Sequence, residues 1–371
     1  MSGPVVAVNA TILNERPTGL GVYALGLIPA LAALGERLRV ITSHRAGIDG
    51  AVEFEPAPAS LRPERRRGHV RRVLWLQSAL PLRLARMRPD VLFNLVPEGP
   101  LLSPVPQVTL VHDLIPLFYP SAGRFPRAHL YFRHVVPRLL RASGAVLVNS
   151  EHTRSDVLRH FAGIDPDRVH VIYAGYDSTR FRPPAGLPEA HPPYLLYVGN
   201  VAPHKDLPRL IDAFAAATAG TFVRLLIRGW GHEPHRALVL QRIRARGLEG
   251  RVDWQAYEPY ERLPGLYAGA SALLLPSQYE GFGFTALEAM ACGTPVIAAR
   301  STSIPEVVGD AGLLIEPRDE DGFADAIRRV LGDPVLAADL RARGPARAAL
   351  FSWGRTAALA RPHLDAVARG S

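Results

Sequence analysis

The apolar residues of this chain fall into short continuous runs, separated by longer stretches with helical spacing. In the first half these runs predict strands at Val5–Val8, Leu38–Ile41, Val91–Leu95, Val108–Val111, Ala145–Asn149 and Val169–Tyr173. In the second half they predict strands at Tyr194–Val198, Val223–Ile227, Ala272–Leu275, Pro295–Ala298 and Leu313–Ile315. Helices are predicted between and after them, among others at Val22–Leu34, Pro126–Arg141 and Trp353–Arg369. Apolar strands that alternate with helices indicate parallel sheets covered on both faces.

A stretch dense in proline separates the two arrays of strands. It covers residues 177–193 and has no periodicity, which is typical of an interdomain linker. The sequence therefore predicts an α/β protein with two Rossmann-like domains facing across a cleft. We place the first domain at 1–180, the linker at 181–193 and the second domain at 194–350. A helix within 351–371 follows and packs on one of the two domains, with a return to the first as one option.

Composition limits the class of protein. The chain has 371 residues, 48% of them hydrophobic, which is enough for two domains with full cores. No run of 18 apolar residues predicts a membrane span, and the start MSGPVVAVNA lacks the features of a secretory signal. Cys292 is the only cysteine, so internal disulfides and cysteine-based metal cages are excluded. We therefore expect a cytoplasmic protein.

The net charge of +9 favours a polyanionic partner, such as nucleic acid, an anionic membrane or a phosphorylated substrate. A compositional bias explains the charge equally well, because nearly all of the 43 basic residues are arginines and many should lie on the solvated surface. Lys205 is the only lysine. A lysine among so many arginines indicates a site that needs a compact ammonium group rather than a planar guanidinium.

Ligands of parallel sheets bind beyond the carboxyl ends of the strands, so polar residues that follow predicted strands are candidate site residues. Gly199, Asn200 and Lys205 follow the first strand of the second domain and precede a helix, a placement that suits a diphosphate. His112 follows the strand 108–111. It either points into the ligand crevice or is hydrogen-bonded within its loop.

Two more turns have weaker signals. The stretch TGLG at 18–21 follows the first strand, and its glycines Gly19 and Gly21 allow a close approach to an anion at a helix start, although a plain turn is an equal interpretation. The polar loop Ser301–Glu306 follows a predicted strand and could line the cleft, but its composition is ordinary.

The most informative stretch follows the predicted strand 272–275 and leads into a helix. Its two glycines allow consecutive backbone N–H groups to face a ligand at the helix N-terminus. Glu280 lies in the loop and Glu288 lies eight positions later in the helix. Because a carboxylate repels phosphate, these glutamates should contact hydroxyl-bearing groups such as a sugar ring and a ribose. The alternative for Glu288 is a cap or an ion pair on its helix.

The residues 280–295, EGFGFTALEAMACGTP, resemble the E-x7-E signature of glycosyltransferase family 4, whose members are retaining enzymes with the GT-B fold. Other segments agree with that family in the same order, namely TGLGVY, VHDL at 111–114, VNSEHTRSDV, IYAGYDSTRF, YVGNVAPHKDL at 197–207, LYAGASALLLPSQYEGFG, IPEVVGDAGLLIEP at 304–317 and the terminal FSW at 351–353. The resemblance covers nearly the whole chain. It implies a first domain that binds the acceptor and a second that binds a UDP-, GDP- or ADP-sugar.

The resemblance also implies roles for individual residues. Glu280, His112 and Lys205 would serve catalysis at the transferred sugar and the leaving diphosphate. Glu288 would hold the ribose. The remaining donor-binding residues that it implies are Gly19, Gly21, Asn200, Phe282, Gly283, Phe284, Arg228 and Tyr257, with the last two near the base. Many family members carry a second cation where this chain has His204 and Asn200, so another arginine or the backbone amides would complete the phosphate site.

The expected reaction transfers a hexose, with mannose and glucose as candidates, to a glycan, a lipid-linked or a small-molecule acceptor. No Asp-x-Asp motif lies at a strand end, so no metal and no further cofactor is expected. Acceptor choice would depend on the loops Asn94–Pro100 and Phe118–Phe125. The arginine-rich stretch Arg62–Arg72 either forms a solvated surface or contacts an anionic membrane, which would place the enzyme at the inner face of the plasma membrane.

Two other classes of function remain open from the sequence. An epimerase or a phosphorylase could use the same architecture, but a phosphorylase needs a lysine for pyridoxal phosphate, and Lys205 already fits the diphosphate role. A non-catalytic nucleic-acid binder would show basic residues clustered with aromatic ones, whereas the arginines here are dispersed, so no nucleic-acid partner is expected.

Overall fold

The computed structural model describes residues 3–15, 19–45, 47–48, 50–62, 68–120, 128–186 and 192–370. Within them the first sheet is built from the strands β1 Val5–Asn9, β2 Arg37–Thr42, β3 Val52–Pro56, β4 Val91–Asn94, β5 Gln107–Val111, β6 Ala145–Val148 and β7 Val169–Val171. The second is built from β8 Tyr194–Val198, β9 Arg224–Arg228, β10 Val252–Gln255, β11 Ala272–Leu275, β12 Val296–Ala299 and β13 Leu313–Ile315.

Helices connect these strands. In chain order they are α1 Gly19–Ala33, α2 Gly68–Met87, α3 Ile115–Phe118, α4 Ala128–His134, α5 Val136–Ala142, α6 Glu151–His160, α7 Leu207–Ala217, α8 His235–Ala245, α9 Leu263–Gly269, α10 Phe284–Ala291, α11 Ile304–Val308, α12 Glu320–Gly332, α13 Pro334–Ala348 and α14 Trp353–Ala368. Short 3-10 helices cover Ala59–Leu61, Pro166–Arg168, Pro203–Lys205 and Tyr260–Arg262.

Each sheet is parallel, with its earliest strand near the middle. The first has the order β3-β2-β1-β4-β5-β6-β7 and the second the order β10-β9-β8-β11-β12-β13 among the described residues. The central strands β4, β5, β6 and β11 are buried along their whole length because helices cover both faces. The sequence prediction of two doubly wound α/β sheets is confirmed.

The chain divides into two compact units, which are described one at a time. Unit 1 comprises Met1–Gly175 together with Phe351–Ser371, and unit 2 comprises Tyr176–Leu350. Unit 1 contains the first sheet and the C-terminal helix α14. Unit 2 contains the second sheet.

Two glycines of unit 1 leave the space in which the start of α14 packs. A Cβ atom on Gly26 would lie 2.0 Å from the Trp353 ring, and one on Gly175 would lie 2.1 Å from the Trp353 backbone nitrogen. The Trp353 ring also meets the Tyr23 ring edge-on at 5.1 Å, and Thr356 Oγ1 donates to the Tyr173 carbonyl at 2.7 Å. Tight packing of a large aromatic side chain against glycine therefore fixes the chain terminus on unit 1.

The strands that the sequence pattern did not predict lie at sheet edges. Both β3, with the sequence VEFEP, and β10, with the sequence VDWQ, are only partly buried. Acidic residues alternate with apolar ones there because one face of an edge strand meets solvent. The single helix predicted at 126–141 was also wrong, because α4 ends at His134 and α5 follows. Pro137, near the start of α5, lacks the N–H group that a continuous helix would need.

Candidate active site

The carboxyl edge of the unit 2 sheet contains a topological switch point. From β8 the chain proceeds outward through β9 and β10, then returns to the other side of β8 with β11. Ligands of such sheets bind in the crevice between the two strands where the direction reverses. Lys205 follows β8 and Glu280 follows β11, so the fold places these residues on opposite sides of that crevice.

The structure brings these two side chains into direct contact. Lys205 Nζ donates to Glu280 Oε1 at 2.5 Å. The side chains are only 12% and 11% exposed, respectively. With this little solvent contact, the Coulomb attraction of the pair is less screened than at the surface, and each partner would be costly to leave buried without the other.

Hydrogen bonds join the loop that carries Lys205 to the loop that carries Glu280. Lys205 ends the 3-10 helix Pro203–Lys205, and Asp206 then adopts a left-handed conformation with φ 48° before α7 begins. The backbone N–H of Gln278 donates to the His204 carbonyl at 2.7 Å, and the Gln278 amide donates to Asp206 Oδ2 at 2.8 Å. These bonds fix the distance between the two loops that hold the ion pair.

Glu280 is held from its other side by the loop after β12. The Glu280 N–H donates to Thr302 Oγ1, and the hydroxyls of Thr302 and Ser303 donate to the Glu280 carbonyl, each at 2.9 Å. Thr302 has φ +47°, which is strained for a β-branched residue. The polar loop at 301–306, expected only as a possible lining, thus positions the backbone of Glu280.

Gly283 allows the chain to turn into α10. It caps the helix with φ +103°, and a Cβ atom there would lie 2.6 Å from Ile304 Cδ1. Its neighbours Phe282 and Phe284 pack edge to face, with ring centroids 5.3 Å apart. Glycine is therefore required both by its conformation and by the space available. The backbone amides of this turn lie at a helix N-terminus, where a phosphate is favoured.

Glu288 lies in the second turn of α10 and is buried. Its carboxylate accepts hydrogen bonds from the hydroxyls of Tyr260 and Tyr267, both at 3.0 Å. Burial raises the pKa of Glu288 to about 7, although the two tyrosine hydrogen bonds act in the opposite direction. No sequence pattern identified these tyrosines as its partners, because they lie 28 and 21 positions away.

Replacement of Glu288 with glutamine is expected to change how stability depends on pH. A carboxyl group whose native pKa lies above its unfolded value lowers stability as pH rises through that interval, here from about 4.5 to about 7. Each unit of pKa difference corresponds to about 1.4 kcal/mol. Urea unfolding without ligand should therefore show Glu288→Gln gaining stability relative to the wild type between pH 5 and pH 8. Equal pH profiles for the two proteins would contradict the buried, proton-binding state of Glu288.

The ends of β8 and β9 approach each other through glycine. A Cβ atom on Gly229, which has φ +157°, would lie 1.7 Å from the Gly199 carbonyl oxygen. Asn200 next to it is exposed, and its carbonyl accepts from the Tyr197 hydroxyl at 2.8 Å. The role of Asn200 in donor binding stays a prediction.

The two residues expected near the base differ in exposure. Arg228, the last residue of β9, is buried and donates to the Asp253 carboxylate at 2.9 Å. Tyr257 follows β10 and is 56% exposed. Both lie in unit 2 with Lys205 and Glu280, and their contact with a base stays a prediction.

The other predicted residues belong to unit 1. His112 follows β5, and its Nε2 lies 2.8 Å from the Leu95 carbonyl oxygen. Burial lowers the pKa of His112 to about 4, so the ring is neutral at pH 7. Gly19 and Gly21 form the first turn of α1, whereas Thr18 of the same motif lies outside the described residues.

No group of three or more His, Cys, Asp or Glu side chains within the described ranges could hold a metal ion. In the same part of the chain, no helix combines the length and the apolar character needed to cross a membrane.

Comparison with known proteins connects this geometry to a family. Residues 17–180 match the family model described as Glycosyltransferase Family 4, and residues 179–347 match the model described as Glycosyl transferases group 1. O-antigen chain mannosyltransferase B from Escherichia coli is 35% identical over 260 residues, which cover 66% of this chain and 66% of that protein. Alpha-maltose-1-phosphate synthase from Mycolicibacterium smegmatis is 30% identical over 279 residues, covering 69% and 72%, respectively.

Solved structures share the fold across the full length. Sucrose-phosphate synthase from Thermosynechococcus elongatus aligns with a TM-score of 0.78 at 23% identity, covering 99% of this chain and 100% of that one. The alignments to curated relatives are shorter, since they span 66% of the mannosyltransferase and 52% of a D-inositol 3-phosphate glycosyltransferase from Rhodococcus opacus. The two parallel sheets with their helices form a two-domain α/β GT-B fold, and the chain belongs to glycosyltransferase family 4.

Proposed function

We propose that this protein is a retaining glycosyltransferase that moves a hexose from a nucleoside-diphosphate sugar to a glycan, lipid-linked or small-molecule acceptor. The observation that carries the proposal is the Lys205–Glu280 pair at the switch point of the unit 2 sheet. Family membership supports it, as do relatives named for mannosyl transfer and for the synthesis of maltose 1-phosphate.

The leaving diphosphate needs positive charge in the transition state. Departure of a nucleoside diphosphate adds about one negative charge to its oxygens, where fixed donors have the largest effect. Lys205 and the backbone amides at Gly283 and Phe284 supply such donors from two loops that are hydrogen-bonded together. We therefore propose that the reaction requires neither a metal ion nor a further cofactor.

Binding of the donor would exchange the partners of the ion pair. In the structure Lys205 and Glu280 neutralise each other at 2.5 Å. A diphosphate oxygen can replace Glu280 as the acceptor for the Lys205 ammonium group. The carboxylate, still fixed through its backbone by Thr302 and Ser303, is then available to hydroxyls of the transferred sugar. Lys205 would thus bind the leaving diphosphate, and Glu280 would bind the transferred sugar.

The acceptor hydroxyl needs no separate base in this scheme. It attacks on the face from which the diphosphate departs, and a departing phosphate oxygen takes its proton, so the anomeric configuration is retained. The contact of His112 with the transferred sugar stays a prediction from the family resemblance, and burial keeps its imidazole neutral at pH 7.

A panel of UDP-, GDP- and ADP-sugars tests the proposal. We expect one nucleotide family to be hydrolysed slowly without acceptor and transferred faster when a glycan or lipid-linked acceptor is added. Proton NMR of the first product should show the anomeric configuration of the donor, and EDTA should leave the rate unchanged. Failure of every donor to bind, or an inverted product, would refute the corresponding part of the proposal.

We also propose a peripheral contact of unit 1 with an anionic membrane, through one face of α2. This helix exposes Val70, Leu74 and Leu82 by 55%, 64% and 64%, with exposed arginines at positions 71 and 86. Apolar side chains beside arginines suit the boundary of an anionic bilayer. Residues 63–67 of the arginine-rich stretch lie outside the described residues. Arg72 does not contribute, because it is buried and bound to Glu98 at 2.6 Å.

The membrane contact predicts sedimentation with vesicles. Wild-type protein should sediment with phosphatidylglycerol vesicles and much less with phosphatidylcholine vesicles, and Leu74→Glu should reduce that binding about tenfold. The matched control is Val335→Glu, which changes an apolar residue of unit 2 that is 77% exposed. Equal binding of Leu74→Glu and the wild type would rule out this face of α2.

A further inference from the structure

A buried acid–base pair lies at the carboxyl ends of β9 and β10 in unit 2. Arg228 is 5% exposed and donates to the Asp253 carbonyl at 3.0 Å and to the Asp253 carboxylate at 2.9 Å. Glu258, on the loop after β10, has a side chain that is 8% exposed. Its Oε2 atom lies 3.2 Å from Arg228 Nε. Neither side chain is required by the steps of transfer described above.

One donor of this pair is left unused. Although Arg228 Nε is buried, it makes no hydrogen bond within the part of the chain that the structure describes, because the nearby Glu258 oxygen lies out of line with its N–H group. Buried polar atoms in native proteins nearly always have a partner. An unused donor beside a carboxylate at the ligand edge of a parallel sheet therefore points to a bound group that has both an acceptor and a donor.

The position of the Arg228–Glu258 pair relative to the ribose site indicates that the bound group is the base of the nucleotide. Tyr260, two residues after Glu258, donates to Glu288, the residue assigned to the ribose. The same loop therefore runs from the ribose site to the Arg228–Glu258 pair. This step rests on the proposed function, because the role of Glu288 comes with it.

From these contacts we infer that Arg228 and Glu258 select guanine, so that the donor is a GDP-sugar. Guanine has an N1–H and a 2-amino group side by side, which suit a carboxylate, and O6 and N7 acceptors, which suit a guanidinium. Uracil presents one N–H between two carbonyl oxygens, and these would face the Glu258 carboxylate unfavourably. Adenine has no N1–H and no 2-amino group. A site built for hydrogen bonds rejects analogues that leave its polar groups unpaired.

Calorimetric titration of the full chain with GDP, UDP and ADP tests the inference. We expect GDP to bind at least about tenfold more tightly than the other two, which is the effect of one lost hydrogen bond to a charged group. Glu258→Gln should weaken GDP binding about tenfold and leave UDP binding unchanged. The matched control is Glu261→Gln, on a side chain of the neighbouring 3-10 helix that is 75% exposed, and it should change neither affinity.

If Glu258→Gln does not fold, a comparison of GDP with inosine diphosphate on the wild-type protein tests the same inference. Inosine diphosphate lacks only the 2-amino group of GDP, and we expect it to bind wild type about tenfold more weakly. Tighter binding of UDP or ADP than of GDP, or equal binding of GDP and inosine diphosphate, would overturn the guanine assignment and leave the proposed transfer standing. Absence of binding by all four nucleotides would instead remove the proposed function itself.

Discussion

Replacement of Glu280 with glutamine is expected to lower kcat for sugar transfer by about 10²–10³-fold, a loss typical of removing one preorganised electrostatic group. Glutamine keeps the size of the side chain and the backbone hydrogen bonds to Thr302 and Ser303. It removes the negative charge that is buried beside Lys205 and assigned to the sugar hydroxyls and the developing positive charge of the ring. Initial rates at saturating donor, with the folded fraction checked by thermal unfolding, measure the effect.

The control for this variant is a glutamate with an arginine partner outside the site. Glu316 pairs with Arg300 at 3.0 Å, and its side chain is 70% exposed. Glu316→Gln should keep the rate of the wild type within about twofold, because exposed pairs contribute little. A Glu280→Gln enzyme as active as this control would show that the Glu280 carboxylate takes no part in transfer.

Replacement of Lys205 with alanine is expected to lower kcat by about 10²-fold or more and to destabilise the protein as well. The leaving diphosphate loses its counter-charge, and Glu280 keeps a nearly buried carboxylate without its partner. Breaking a buried pair from one side costs about 3–5 kcal/mol, and the remaining exposure of 11% places Glu280 toward the lower end of that range. Steady-state rates and urea unfolding measure the two effects separately.

Two further variants separate charge from shape at this position. Lys205→Arg keeps the charge but offers a planar group where a compact ammonium lies 2.5 Å from its partner, so it should restore stability more than it restores kcat. The double variant Lys205→Ala/Glu280→Gln should be more stable than Lys205→Ala alone, since no unpaired carboxylate remains. A double variant less stable than both single variants would contradict the coupling inferred from the structure.

Local pattern was sufficient to predict the central strands because they are buried on both faces and therefore apolar throughout. Strands β8, β11 and β13 have the predicted bounds, and most others differ by one or two residues. The edge strands β3 and β10 escaped prediction because partial exposure lets acidic and apolar residues alternate. Sequence pattern thus finds a strand whose residues form a continuous apolar run, as in the partly buried edge strand β13, and misses a strand in which acidic residues interrupt that run.

The candidate site was only partly predictable, for a similar reason. Lys205 and Glu280 were identifiable because each follows an apolar strand, and parallel strands bring such residues to one edge. The tyrosine partners of Glu288 lie in a 3-10 helix and in α9, and the hydroxyl contacts of Thr302 come from the loop after β12. All are distant in sequence from the glutamates that they contact, so no local spacing marks them. Nor did the sequence mark Arg72 as buried. It belongs to an arginine-rich stretch, yet its side chain is buried against Glu98.

Amide hydrogen exchange with and without the preferred nucleoside diphosphate tests most directly whether the donor binds at the unit 2 switch point. We expect slower exchange in the loop 199–206 and in the turn 280–284, where Lys205 and the backbone amides meet the diphosphate. Little change is expected in β13, the outer strand of the same sheet on the side away from the proposed base site. Protection confined to unit 1, or to strands away from the 199–206 and 280–284 segments, would contradict the assignment of this crevice to the donor.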